Sequence, residues 1–278
     1  MVPAQSGAAA VRRGRVVRAG ARIGYLTSPY QWNIEWAMRR LVPQVDGIIA
    51  ISSYLAEYYR HRGRPTVVVP PTTSEIHCGS WEPSPTLRLA FAGAPGHIDG
   101  LGYKDDLAVV LSSVSQLVAR GASIHLTVAG PHPIAVHRML DFKSRRDLSW
   151  LATPGCLGRT EVQSLIGLSD FTILVRQRSR LATAGFPTKF VESFAAGTPV
   201  IANLTSDLGL HLRDGETGLV CSEPSVESVL STLERAISVS SQHLQRMRLA
   251  CIDHALSAFH PRVYAPALHE LIQPRLDV

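Results

Sequence analysis

From Leu87 onward the chain alternates short apolar runs with amphipathic stretches of helical period: LRLAFAG, DLAVVLSSVSQLVARG, SIHLTVAG, TEVQSLIGLSD, FTILV, TKFVESFAAG, TPVIAN and GLVC. Two helical stretches follow, SVESVLSTLERAIS and QHLQRMRLACIDHAL. A strand that is apolar along its whole length is buried on both faces, and a helix between two such strands carries the chain back over the sheet. The alternation therefore predicts an α/β fold built on a doubly wound, Rossmann-like parallel sheet. Ligands of such sheets sit beyond the carboxyl ends of the strands. Gly93 to Gly96, Gly130-Pro131, Arg176 and Asn203 each follow a strand, so one crevice is predicted to collect them with Lys104 and the turn at Phe186.

The stretch AGFPTKFVESFAAGTPVIAN, Ala184 to Asn203, carries the most chemistry. Pro187 suits the first helical position, Thr188 is an acceptable cap, and Gly197 followed by Pro199 stops the helix after about ten residues. At a helix start the free N–H groups and the dipole favour phosphate, and Lys189 adds a positive charge beside them. Glu192 lies three residues beyond Lys189, on the predicted same face. A carboxylate there can accept two hydroxyl hydrogen bonds at once, which is what the vicinal diol of a ribose offers. An exposed Lys189/Glu192 ion pair would fit the same spacing, and the spacing leaves both readings open.

Charge and cysteine usage exclude several classes. The formal net charge is +6, but five arginines (Arg12, Arg13, Arg15, Arg18 and Arg22) fall in the first 22 residues with no acid among them. The remainder holds 23 basic against 22 acidic residues, too balanced for a duplex-binding patch, and 6% aromatic content provides no stacking platform. Nucleic acid is thus not an expected partner. Residues 1–22 read as a basic, disordered tail, with attraction to an anionic membrane surface as the minority alternative. Apolar runs are too short to span a bilayer. Cys78, Cys156, Cys221 and Cys251 are widely spread without a Cys-x-x-Cys pair, so neither a zinc site nor a redox dyad is predicted and a reduced, cytoplasmic setting fits best. His132 and His137, five apart beside Pro133, have the wrong spacing for two ligands on one helical face. No metal and no cofactor are expected. A nicotinamide dehydrogenase is disfavoured, because GAPG is not Gly-x-Gly-x-x-Gly and SSVSQ, about twenty residues on, lacks the acid that would hold a ribose.

The donor-type stretch resembles the corresponding element of the group 1, retaining GT-B glycosyltransferases, whose pattern is a Gly-Phe-Pro or Gly-Phe-Gly turn, a helix with a glutamate, then Gly-x-Pro-Val. VDGIIAISSYLAEYYRHRG followed by TVVVPP resembles the end of the family's N-terminal domain and its interdomain crossing. LRLAFAGAPG with KDDLAVVLSSVSQL resembles the first strand, loop and helix of the donor domain. The resemblance implies a GT-B-like fold: residues 73–262 as the nucleotide-sugar-binding domain, 23–72 as a truncated remnant of the N-terminal, acceptor-side domain, and 263–278 as a C-terminal helix crossing back to it. It implies a nucleotide diphosphate sugar as donor substrate, with Lys104, Lys189 and Glu192 as catalytic residues. Gly93, Arg176, Gly185, Phe186, Pro187 and Thr188 would line the donor site beside them. The acceptor would be a glycan, a lipid-linked glycan or a small molecule, with a partner chain as one source of the missing acceptor half. Two departures stand out: the family's glutamate eight positions before Glu192 is Ala184 here, and Gly93-Ala94 stands where many relatives have Gly-Arg.

Plainer readings accompany several of these residues. Lys104, beside Asp105 and Asp106 at a predicted helix start, also fits a solvated surface charge, and Arg176 with Arg178 and Arg180 fits a solvated loop. Asp170 and Asp207 read as helix-end or cap residues, and His97 as loop surface.

Overall fold

The computed structural model describes residues 36–77, 79–94, 97–98, 102–140 and 147–273. The predicted basic tail, the predicted strand ARIGYLT and the last five residues lie outside these. The first part holds a small unit: β1 (Ile48–Ala50), helix α1 (Ser53–Arg60) and β2 (Thr66–Val68), the two strands pairing in parallel. Of the predicted helix NIEWAMRRLV, the described part is a π-helical turn, Ala37–Leu41, running into a 3-10 turn, Val42–Gln44.

The larger unit begins at β3 (Leu87–Ala92), followed by a short antiparallel hairpin of β4 (His97–Ile98) and β5 (Gly102–Tyr103). Then come helix α2 (Leu107–Ala119), β6 (Ile124–Ala129), α3 (Pro133–Met139), β7 (Leu151–Gly155), α4 (Arg159–Leu168) and β8 (Phe171–Leu174). Helices α5 (Arg180–Ala184) and α6 (Thr188–Ala195) lead to β9 (Val200–Asn203) and β10 (Gly218–Cys221). The chain ends in α7 (Val226–Ile237), α8 (Ser241–His254) and α9 (Ala265–Ile272).

Six strands form one parallel sheet in the order β10-β9-β8-β3-β6-β7. The chain builds outward from β3 through β6 to β7, then returns to lay β8 on the other side of β3. The order of winding therefore reverses between β3 and β8, and the crevice outside their carboxyl ends is where a doubly wound sheet takes its ligand. Helix α2 presents Leu107, Val110, Leu111, Val114 and Leu117 to the core, the stripe that its sequence period demands. These pack with Leu89, Phe91, Leu126, Phe171 and Ile173 of the sheet. A second cluster gathers Phe186, Phe190, Phe194, Leu208 and Phe259 beneath α6.

Two elements were invisible to periodicity. LATPG, which becomes β7, carries Pro154 and Gly155 and shows no unbroken apolar run; it is tolerated because β7 is the sheet's edge strand and Pro154 is exposed. The register shift between Thr127 and Ala129 marks the irregularity where β7 pairs with β6. Helix α3 is too short for a periodic signal, and His132 caps it by accepting a hydrogen bond from the Ile134 N–H. Among the described residues no helix is long and apolar enough to cross a membrane.

The small unit is tied to the large one through side chains. Ser52 Oγ donates to the Ala184 carbonyl at 2.7 Å, and Asp207 Oδ2 accepts from the Ser53 N–H at 2.7 Å. Asp207 thus serves the first turn of α1 rather than its own helix. Helix α9 packs against β2, with the Leu271 side chain close to Gly47.

Candidate donor site at the carboxyl ends of β3 and β8

Helix α6 begins one residue later than predicted: Pro187 has an extended ψ of 117° and is the residue before the helix, and Thr188 is the first helical residue. No side chain caps this helix start, and the Phe190 N–H already bonds the Pro187 carbonyl at 3.1 Å, so the Thr188 and Lys189 N–H groups are the ones left for an anion. Phe186 is buried, its ring meeting Phe190, His211 and Phe259 edge-on at 6.0, 5.5 and 5.9 Å between centroids. The Phe186 and Pro187 side chains are both buried, so neither offers a side chain at the surface. The same burial makes Phe186 the anchor that sets the angle of the turn.

Lys189 does not share a face with Glu192, as the spacing had suggested. Its stem crosses the α-carbon of Gly93, where a Cβ would come within 2.7 Å of Lys189 Cε, and Gly93 holds a φ of 105°. The ammonium lies 4.2 Å from the centre of the Phe91 ring, 3.3 Å from the Ala94 carbonyl and 2.5 Å from Asp105 Oδ2. The Lys189/Glu192 surface pair is thereby replaced by an internal pair with Asp105. Glu192 is exposed and lines a cleft of about 530 Å³ together with Thr188 and Val191.

Arg176 was open to two readings, a donor-site residue and a solvated loop arginine, and the solvated one fails: its side chain is fully buried, and the Asn203 side-chain amide brackets its backbone with bonds of 2.8 Å from both directions. Nε bonds Asp105 Oδ1 at 3.1 Å, while Nη1 and Nη2 have no partner among the described residues. Lys104 precedes α2 by three residues instead of starting it; Asp106 is the cap, accepting from the Val109 N–H at 3.2 Å. Burial, followed by the Arg176 charge, pulls the half-buried Lys104 ammonium below its ordinary pKa, with Asp105 opposing. Burial likewise lowers Lys189 and Arg176, and in both cases Asp105 is the main opposing influence. The switch point thus holds three cations and one carboxylate, an excess of two positive charges. Asp105 was seen in the sequence only as a neighbour of Lys104, because nothing in spacing joins it to a residue 71 positions later.

A second polar group also went unnoticed. Arg159, His77 and Gln163 also line the cleft: Arg159 donates to Glu75 at 2.6 Å, Glu75 meets His77 at 3.1 Å, and His77 meets Gln163 at 2.8 Å. Glu75 and His77 come from the crossing segment and Arg159 and Gln163 from α4, so only tertiary packing assembles them. Among the described residues no group of three or more His, Cys, Asp or Glu is placed to hold a metal ion.

Below the Phe186 turn His211 Nδ1 and His254 Nε2 lie 2.9 Å apart among the phenylalanines. Burial, then His254, pushes the His211 pKa down to about 4; burial, then Arg213, lowers that of His254. A depressed folded-state value means that the unfolded chain binds the proton more readily. Stability is full above about pH 6.5 and is lost as the pH falls from there toward 4, by about 1–2 kcal/mol after solvent screening at a partly exposed ring. Urea unfolding at pH 7.5 and 5.0 should show this loss in the wild type and a much smaller one in His211→Phe; equal losses would remove the pair as its source.

The family model for glycosyl transferases group 1 matches residues 90–238, more than half of the chain. The chain belongs to this family. Glycogen synthase 1 of Bradyrhizobium diazoefficiens is 27% identical to this group 1 member over 173 residues, 61% of this chain and 36% of the synthase. Sucrose-phosphate synthase from Thermosynechococcus elongatus is structurally similar with a TM-score of 0.62 at 14% identity, covering 90% of this chain and 64% of that one. HepE from Anabaena, solved with UDP and glucose, gives a TM-score of 0.63 at 13% identity over 81% and 62% of the two chains. The fold is accordingly of the GT-B type, and this group 1 chain spans less than two thirds of the length of each of these relatives.

Proposed function

We propose that the chain binds a nucleoside diphosphate sugar at the β3/β8 switch point and forms the donor side of a retaining glycosyltransferase. The observation that carries this reading is the buried cluster at the switch point, where three cations exceed one carboxylate by the two charges of the donor's diphosphate. The uncapped first turn of α6 adds free N–H groups to the same place. In this reading Glu192 accepts both ribose hydroxyls and the base extends into the cleft beside α4. The UDP held by HepE makes UDP the first nucleotide to try.

In the transfer, the bond from the sugar's anomeric carbon to the diphosphate oxygen breaks, a bond to the acceptor oxygen forms, and the acceptor hydroxyl's proton passes to the departing diphosphate. Negative charge grows on the leaving diphosphate, and Arg176, Lys104 and the α6 start stabilise it as it grows, the electrostatic contribution that usually matters most. Lys189 acts from beneath, through Asp105 and the Gly93 turn. The main chain of Gly185 to Pro187 faces the transferred sugar. A glycan, lipid-linked glycan or small molecule would be the acceptor. A binding role without turnover is the second reading, favoured by Ala184 at the position where the family carries its first glutamate.

Calorimetry with UDP, GDP and ADP tests the site. One nucleotide should bind the wild type, and Glu192→Ala should weaken it about 10–100-fold, the loss of two hydrogen bonds to a charged acceptor. A folded wild type that binds none of the three would sink the donor reading.

A further inference from the structure

Asp105 and Asp106 are neighbours in sequence with different tasks in the structure. Asp106 caps α2. Asp105 is 3% exposed, and each of its oxygens faces a cation from another element: Oδ2 meets Lys189 of α6 at 2.5 Å, and Oδ1 meets Arg176, beyond β8, at 3.1 Å. Burying a carboxylate and two cations is a poor route to stability, since the desolvation cost offsets most of the attraction and apolar residues of the same volume serve as well or better. The arrangement does, however, have a geometric result. Among the described residues the Arg176 side chain is gripped by Nε alone, so its position is fixed while Nη1 and Nη2 have no partner in a fully buried side chain. Guanidinium binds a phosphate with two parallel N–H groups, and an arginine already held in place loses less rotamer freedom when it does so. Lys189 is held by the same carboxylate, with its stem against Gly93 and its charge over Phe91.

We propose that Asp105 is a positioning residue for diphosphate recognition: it anchors Arg176 by Nε and Lys189 by Nζ, so that the two terminal guanidinium nitrogens, buried and without a hydrogen-bond partner among the described residues, are held in place for a diphosphate oxygen. Its charge also lowers the excess at the switch point from three to two, which matches a diphosphate diester. The proposal deepens the donor reading and rests on it for the identity of the molecule that carries the diphosphate.

Asp105→Asn keeps the shape and removes the charge. Its affinities for the nucleoside diphosphate that binds best, for the matching monophosphate and for inorganic pyrophosphate are measured by calorimetry against the wild type. The diphosphate should weaken about 10-fold or more, the loss expected when a charge-assisted bidentate contact is disordered. The monophosphate should change little, so the preference between the two collapses even though the site gains a positive charge. Asp105→Glu, which keeps the carboxylate, should restore part of the preference. Tighter diphosphate binding in Asp105→Asn would mean that Asp105 acts as bulk charge only, and equal weakening of both nucleotides would mean a structural role; either overturns the proposal. Should Asp105→Asn fail to fold, Arg176→Lys takes its place, since lysine can still pair with Asp105 but has no second and third nitrogen. The same selective loss is expected there, and a retained preference overturns the proposal. If no nucleotide binds the wild type, the donor reading fails on its own. Pyrophosphate binding that depends on Asp105 would then still support the positioning role, and absence of pyrophosphate binding would end it.

Discussion

Asp170→Ala is expected to lower the stability by about 3–5 kcal/mol, the cost of leaving a buried, hydrogen-bonded ion pair without one partner. Asp170 is 4% exposed and accepts four hydrogen bonds. Oδ1 takes the Trp81 indole N–H at 2.6 Å and Arg88 Nη2 at 2.9 Å, and Oδ2 takes the Arg88 backbone N–H at 2.7 Å and Nε at 3.3 Å. One carboxylate thus ties the crossing segment at Trp81 to the starts of β3 and β8, the two strands that flank the switch point. Removing it orphans an indole N–H and a backbone N–H and leaves the Arg88 charge partly buried. Asp170→Asn keeps two acceptor lone pairs but turns a donor toward Arg88, so it should lose about half as much. Urea unfolding followed by tryptophan fluorescence measures both. A loss below about 1 kcal/mol in Asp170→Ala would show that Arg88 and Trp81 find other partners, against the mechanism given.

Gly130→Ala should cost about 2–4 kcal/mol and more than 10-fold in nucleotide affinity, because it combines backbone strain with a main-chain clash beside the site. Gly130 has a φ of 116°, which a residue with a Cβ rarely adopts. An added Cβ would lie 2.8 Å from the Gly93 carbonyl carbon and 2.9 Å from its oxygen. Neither side can move cheaply: the Gly93 N–H is bonded to Ala129 at 2.9 Å and the Gly130 N–H to Gly155 at 2.7 Å. The strain must therefore pass into the Gly93 turn, on which Lys189 rests. Thermal unfolding and nucleotide calorimetry on the same sample read the two effects. Wild-type affinity in a destabilised Gly130→Ala would separate the turn from the donor site and count against the role given to Gly93.

Much of the α/β architecture was legible because burial leaves its trace in order. LRLAFA, FTIL and VIAN are apolar at nearly every position, which only a strand covered on both faces requires, and α2 shows its stripe at helical spacing. β7 failed this test because an edge strand can carry Pro154. The α6 helix was legible to within one residue at its start, being encoded within one short segment and its turn. Lys189 and Arg176 were identified as residues but not in their surroundings: the sequence showed two cations, and their carboxylate came from elsewhere.

The chain's own order thus determined most of the strands and helices and which charged residues stand at strand ends, since these depend on near neighbours, whereas the point where winding reverses depends on β8 pairing with β3. The tertiary structure alone decided which charges meet. Arg176 is buried because Asn203 holds its backbone, Lys189 turns inward because Gly93 leaves room for its stem, and Asp105 reaches both because β3 and β8 are adjacent in space. Partner choice among charges is a matter of distances between segments far apart in sequence, and no local pattern records those distances.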